Sequence, residues 1–413
     1  MKLFKSSLIA LALASATAAN AASLAITNAK VHTVTEAGVL ENATVVIDNG
    51  VITAINPETV TADQTFNAQG KILTPGFIVS MNQLGLVEVG AVARSRDAGE
   101  KKADITFDAS LAYNPKSTAV AFTRKGGITR SVVAPNGGDD MFKGQTFVVN
   151  LTGDYDSVIA SQQDVVLELG SKSKGSRATD LQKLTHKLED AQKALDKAAK
   201  AKKSDKKDKK EPKRGEQAIN QILKGEKSLL VHVDRATDIL AMLALKERFN
   251  LDLVLLGAAD AIVVADKIAQ AKVPVVMNAM RNLPGSFDSL HAHLENAGKL
   301  SKAGVKVVLT KNDTHNGHQL RFNAGNAVAN GMDYDQALAS VTANVADVFD
   351  LDSGRIAVGK PADIVLWSAD PFELSSSAEK VWINGEEQVL ESRQDKLRDR
   401  YMTQSVMPKA YTK

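Results

Sequence analysis

The sequence predicts an α/β protein: a (β/α)8 barrel of the TIM type with a small β-sandwich built from both chain ends. Three observations carry this expectation. From Ser228 onward, short apolar runs alternate four times with amphipathic stretches, as in a parallel sheet with crossover helices. Residues 24–70 and 354–388 are both made of short β-branched strands, and neither group can hide an apolar face alone. Between them, Phe77 to Val79 follow a Pro75-Gly76 turn and lead to a polar segment ending at Gly85, the pattern of a short buried parallel strand.

Taken in order, residues 1–21 carry Lys2 and Lys5, an apolar run from Leu8 to Ala14, and the small residues Ala19-Asn20-Ala21. That order is expected of a cleaved secretory signal, whose apolar run is too short to span a bilayer. The expectation is an exported, periplasmic protein starting near Ala22. Residues 22–72 are the N-terminal part of the sandwich, with Asn49-Gly50 between two alternating apolar runs as a tight hairpin turn. His32 falls on one of these strands, far from any site, and reads as structural.

Residues 73–353 are assigned to the barrel. Residues 94–115 read as a long loop over its mouth. Arg124 to Pro135 read as a helix end, a Gly-Gly stop and a buried strand. Asn136 to Gln145 are glycine-rich but lack the G-x-x-x-x-G-K-[ST] frame that cradles phosphate, and read as turns. A charged helical insertion spans about 176–224, with Leu181, Leu184, Leu188, Ala191 and Leu195 spaced three and four apart. His186 on that helix reads as solvent-facing. From Lys200 to Arg214 nine basic residues meet three acidic ones, a run expected to be a solvated loop tip.

Strands are then expected at SLLVHV, LDLVLL, VPVVMN and VKVVLT. Helices are expected at ATDILAMLALKERFN, at AADAIVVADKIAQA, from Phe287 to Ala303 and from Gln319 to Asn330. On the third of these His291 and His293, two residues apart, would point to different sides and could not share an ion. Residues 354–390 supply the C-terminal part of the sandwich, and 391–413 a tail.

With 413 residues, 44% hydrophobic and 24% charged, the composition is that of an ordinary folded chain. The absence of cysteine excludes disulfides, thiolate metal sites and cysteine nucleophiles. The net charge of +3 comes from the Lys-rich run alone, and aromatic residues are only 5%, so a nucleic-acid partner is not expected. No second apolar stretch reaches transmembrane length. No G-x-S-x-G elbow supports a serine nucleophile.

The stretch ILTPGFIVSMNQLGLVEVG, together with NPKS, GGIT, VHVDRATDIL and TANVADVFDLDSGRIAVGKPADIVLW, resembles the amidohydrolase superfamily. The likeness is to its imidazolonepropionase-like branch and covers Leu24 to about Gln388. In that superfamily the first barrel strand carries P-G-x-I-D-x-H-x-H, whose histidines hold a metal. Here Pro75, Gly76 and Ile78 are in place, but the acid position holds Val79 and the histidine positions hold Met81 and Gln83. A thioether and an amide are poor ligands for zinc. The resemblance makes His232 the fifth-strand ligand, although a strand-end histidine also reads as a hydrogen-bonded core residue. LVLLGAADA offers only Gly257 and Ala258 at the sixth-strand histidine, and the fourth-strand lysine has no counterpart.

VVLTKNDTHNGH resembles the eighth-strand end, making Asp313 the catalytic aspartate, with Asn312 the neighbour that a register shift would put in its place. Asp313 with His232, His315 and His318 could form a relocated metal site, since imidazole and carboxylate suit zinc or manganese. The resemblance implies a metal-dependent hydrolase of amide or cyclic-amide C–N bonds, here with a depleted or relocated site that holds zinc or manganese weakly or not at all. The other reading is a catalytically silent barrel binding a small molecule or a protein partner at the same mouth.

Overall fold

A computed structural model describes residues 22–170, 176–200 and 212–402. The stretch read as a signal, 1–21, and most of the Lys-rich run, 201–211, lie outside the described residues.

Strands β1 (Leu24–His32), β2 (Val39–Asp48) and β3 (Val51–Ile55) run antiparallel in order. The turn between β2 and β3 is the Asn49-Gly50 pair, with φ of 50° and 80°, the left-handed conformations a two-residue hairpin turn demands. β4 (Gln64–Asn67) and β5 (Ile72–Pro75) pair with β1 in parallel.

The central domain opens with β6 (Phe77–Asn82). Helix α1 (Thr118–Lys125), capped by the Ser117 hydroxyl, returns the chain to β7 (Ile128–Val133), parallel to β6. The chain then doubles back instead of crossing over. β8 (Phe142–Gln145) and β9 (Phe147–Asn150) are separated by one residue, and β9 runs antiparallel to β7 and to β10 (Val158–Ala160). The glycine-rich segment read as turns thus ends in a strand. β11 (Val165–Glu168) lies antiparallel to β8.

Helices α2 (Arg177–Lys200) and α3 (Arg214–Leu223) form the insertion, burying Leu184, Leu188, Ile219 and Ile222. Regular alternation follows: β12 (Leu229–Val233), α4 (Ala236–Phe249), β13 (Leu253–Gly257), α5 (Ala265–Gln270), β14 (Val275–Met277), α6 (Asn296–Lys302) and β15 (Val307–Leu309). β11 to β15 are parallel neighbours in chain order. Helices α7 (Leu320–Ala329), α8 (Tyr334–Ser340) and α9 (Ala343–Val348) complete the domain.

The strands of this domain form two sheets, β10-β9-β7-β6 and β15-β14-β13-β12-β11-β8. One side chain from each of eight strands meets in a single core: Ile78, Val132, Val148, Val166, Leu230, Val254, Val276 and Val308. Their chain neighbours, such as Val79, Val133, Val165 and Val231, face the other way into a core shared with the helices. This is the period of two expected when both faces of a sheet are covered. The facing edges β15 and β6 are joined by side chains: the Thr310 hydroxyl donates to the Ser80 carbonyl, and Asn312 Nδ2 to the Met81 carbonyl at 3.4 Å. Among the described residues no backbone ladder runs from β15 to β6, so the sheets are two arcs around one core.

β16 (Ile364–Trp367), β17 (Ala378–Ile383) and β18 (Glu386–Glu387) bring the far end of the chain back to the first strands, β16 pairing antiparallel with β5. The two ends therefore share one mixed eight-stranded sheet, around a core that includes Ile26, Val45, Leu366 and Trp382. Arg130 of β7 and Asp363 form a buried ion pair between this sheet and the strands of the central domain. Asp363 also accepts the Ser353 hydroxyl at 3.1 Å and the Asn384 N–H at 2.8 Å. Helix α10 (Arg393–Met402) is held to α1 by Lys125 and Asp395 at 2.7 Å. No described helix is long and apolar enough to cross a membrane.

The helix expected from Phe287 begins only at Asn296. Residues before it form turns, and Asp288 is drawn down by Arg177 and by Arg235, the latter at 2.7 Å. His291 and His293 are therefore on turns rather than on a helix.

Candidate functional site

A cavity of about 420 Å³ opens at the C-terminal ends of β6 and β12 to β15. Met81, Leu256, Val276 and Met277 form its apolar side, and Asn278, Asn296, Thr310 and Asn312 its polar side. His232 and Arg281 complete the wall.

At the end of β6 the strand breaks its own alternation. Met81 has a left-handed φ of 57°, and the pairing with β7 shifts register between Ser80 and Asn82. Without that bulge Met81 would follow Val79 outward to the helices; with it, Met81 packs among the inward-facing strand residues. Gln83 lies past the strand, donates its backbone N–H to Thr314 Oγ1 at 3.2 Å, and is not on the cavity wall. Residues 81 and 83, at the two histidine positions of the motif, therefore do not share one wall of the cavity.

His232 is the fourth residue of β12, half-buried, with Glu168 and Leu256 beside it on the flanking strands. Glu168 ends β11, where the resemblance calls for a lysine, and pairs instead with Lys143 at 3.3 Å. At the end of β13, Gly257 has φ of 81°, and a Cβ there would stand 3.0 Å from Asp234 Oδ1. That oxygen also accepts the Ala259 N–H at 3.2 Å and Arg281 Nη1 at 3.3 Å.

At the end of β15 it is Asn312 that lines the cavity. Asp313 caps the following turn, accepting the His315 N–H at 3.3 Å and the Asn316 side chain. His315 is exposed, and His318 packs on Phe122 of α1 with ring centroids 4.4 Å apart. Burial lowers the pKa of His318. Of the four residues considered for a relocated metal site, only His232 is at the cavity. Among the described residues, no group of three or more His, Asp or Glu side chains is placed to hold a metal. One imidazole, a thioether and carboxamides do not fit zinc or manganese.

Beside His232 an ionic cluster links the first turns of α2 and α4 with the segment before α6. Arg177 Nε reaches Asp238 at 3.1 Å, and Asp288 takes both Arg177 and Arg235. His291 Nδ1 lies 2.8 Å from Asp260 Oδ1. His32, expected to be structural, is buried against Tyr334 at 5.8 Å, away from the cavity. Sequence reasoning missed Asn278 and Arg281. Their signal was position, directly after the β14 strand, where barrel strands deliver functional side chains.

The sequence profile of the Amidohydrolase family matches residues 179–387, just over half of the 413-residue chain. This chain belongs to the amidohydrolase family. A crystal structure of an amidohydrolase from Thermotoga maritima MSB8 superposes with a TM-score of 0.80 at 24% identity, covering 88% of this chain and 99% of that one. N-isopropylammelide isopropylaminohydrolase from Burkholderia multivorans gives a TM-score of 0.54 at 15% identity, covering 88% and 97%. At these identities the likeness is one of fold. Amidohydrolase tasK of Hapsidospora irregularis is 21% identical over 401 residues, 83% of this chain and 39% of that protein. The present amidohydrolase therefore spans about two fifths of the length of that relative.

Proposed function

We propose that this amidohydrolase-family protein hydrolyses non-peptide C–N bonds of linear or cyclic amides at the cavity, with the metal site of the family depleted. The observation that carries the reading is His232, an imidazole at the C-terminal end of a parallel strand, on the wall of a 420 Å³ cavity with carboxamide donors around it. In this reading the two arcs close into an eight-stranded barrel, and the protein acts after export, in the periplasm.

The chemistry asked of the chain's own residues is modest. His232 is the general base: it takes a proton as a water oxygen attacks the amide carbonyl carbon, and returns that proton to the departing nitrogen as the C–N bond breaks. The carboxamide N–H groups of Asn278 and Asn312 are the donors available to the oxygen on which negative charge develops. Met81, Leu256 and Val276 keep that side of the cavity dry, which strengthens these polar contacts. No step is assigned to a metal, because the residues present do not fit one.

The test is a panel of cyclic imides, lactams and N-acyl amino acids, followed for ring opening or amine release with the wild-type protein. Hydrolysis of at least one member that competes with binding at the cavity supports the reading. Binding without turnover across the panel would leave the silent, ligand-binding barrel in its place.

A further inference from the structure

We propose that Arg281 is the specificity residue of this cavity and that its substrate is an amide carrying both a carboxylate and an apolar group. The proposal rests on reading the cavity as the substrate site. Among the described residues lining the 420 Å³ cavity, Arg281 is the only Lys, Arg, Asp or Glu. No carboxylate shares that wall, so a cationic ligand would find no counter-charge there.

The guanidinium is held without being used up. Among the described residues its side-chain contact is a single one, Nη1 to Asp234 Oδ1 at 3.3 Å, and the side chain remains 40% exposed. Asp234 is itself fixed by the Ala259 N–H at 3.2 Å and by the open space over Gly257, so it acts as a post that orients the guanidinium. The remaining N–H donors form a planar fork, which matches a carboxylate in bidentate geometry. A single arginine, with no lysine beside it among the described residues, favours that monoanion over a phosphate. Opposite the fork, Met81, Leu256, Val276 and Met280 offer an apolar wall for an alkyl or aryl group.

The test uses the full chain and matched pairs of N-acetyl amino acids with apolar side chains and their primary amides, with binding measured by calorimetry. The carboxylates should bind about 10- to 100-fold more tightly than the amides, the range expected for hydrogen bonds to a charged group. Arg281→Met should remove that preference by weakening the carboxylates alone, and Arg281→Lys should restore part of it. Arg281 is an exposed residue on a turn, so both variants should unfold like the wild type. Equal binding of acid and amide, or a preference that survives Arg281→Met, would overturn the proposal while leaving the cavity as the site. Failure of the wild type to bind either partner at the cavity would overturn the proposal together with the site.

Discussion

Gly257 and Asp234 are complementary: the carboxylate of one occupies the space that a side chain on the other would need, with only 3.0 Å between Asp234 Oδ1 and a Cβ on Gly257. The end of β13, where a metal-binding member carries histidine, is in this chain the rest of an aspartate that steers Arg281. With φ of 81°, Gly257→Ala is strained in its backbone and clashes with that aspartate. A loss of about 1–3 kcal/mol is expected in urea unfolding. Weaker carboxylate binding should accompany it as Asp234 moves.

Arg130 and Asp363 tie the sheet made of the chain ends to β7 of the central domain, both side chains at least nine-tenths buried. Asp363→Ala leaves the guanidinium buried without its partner, a situation that costs about 3–5 kcal/mol. Thermal unfolding should fall by several degrees, with ligand affinity at the cavity nearly unchanged in the folded variant. A melting temperature equal to that of the wild type would show that the pair does not hold the two parts together.

Burial lowers the pKa of His32 from its ordinary 6.5; Lys30 adds to the shift, while Asp335, Asp370 and Glu41 oppose it. Neither ring nitrogen has a hydrogen-bond partner among the described residues, so the fold favours the neutral ring. The unfolded chain then binds this proton more readily, and the contribution to stability is full above about 6.5 and is lost as the pH falls below it. Asp164 works in the opposite sense. Burial raises its pKa from 3.8 to about 6, so its contribution falls as the pH rises across that interval. His32→Leu isolates the first effect: between pH 7.5 and about 5.5 the variant should lose less stability than the wild type. Parallel losses in the two proteins would contradict it.

The strand order from β12 to β15 was legible because each strand is mostly a run of buried Leu and Val, a pattern set by local chemistry. The hairpin at Asn49-Gly50 was legible for the same reason. What failed was decided by distant contacts. Phe287 and Leu290 have helix-like spacing, yet they are 88% and 58% exposed, while Asp288 between them is fixed by Arg177, which opens α2, and by Arg235, which precedes α4. Likewise Met81 and Gln83 are two positions apart, yet the left-handed Met81 and the end of the strand leave only Met81 on the cavity. The orientation of Val79, Met81 and Gln83 depends on a bulge that no residue type announces. At the end of β15 the difference between Asp313 and Asn312 was one of register, which periodicity does not fix.

Metal content follows from the same geometry. Purified protein should retain less than one tightly bound transition metal per chain after dialysis, measured by elemental analysis. Restoring both imidazoles with Met81→His and Gln83→His should not raise that content to one, because position 83 lies off the cavity wall. A stoichiometric metal in the wild type that is lost in His232→Ala, His315→Ala or His318→Ala would place a working metal site at the β15 loop instead.

The most direct measurement is the rate of C–N hydrolysis by His232→Ala beside the wild type, on whichever amide of the panel turns over. Removal of a general base should lower kcat by about 100- to 10,000-fold, with ligand affinity changed little. Turnover by His232→Ala at the wild-type rate would contradict catalysis by His232 at this cavity.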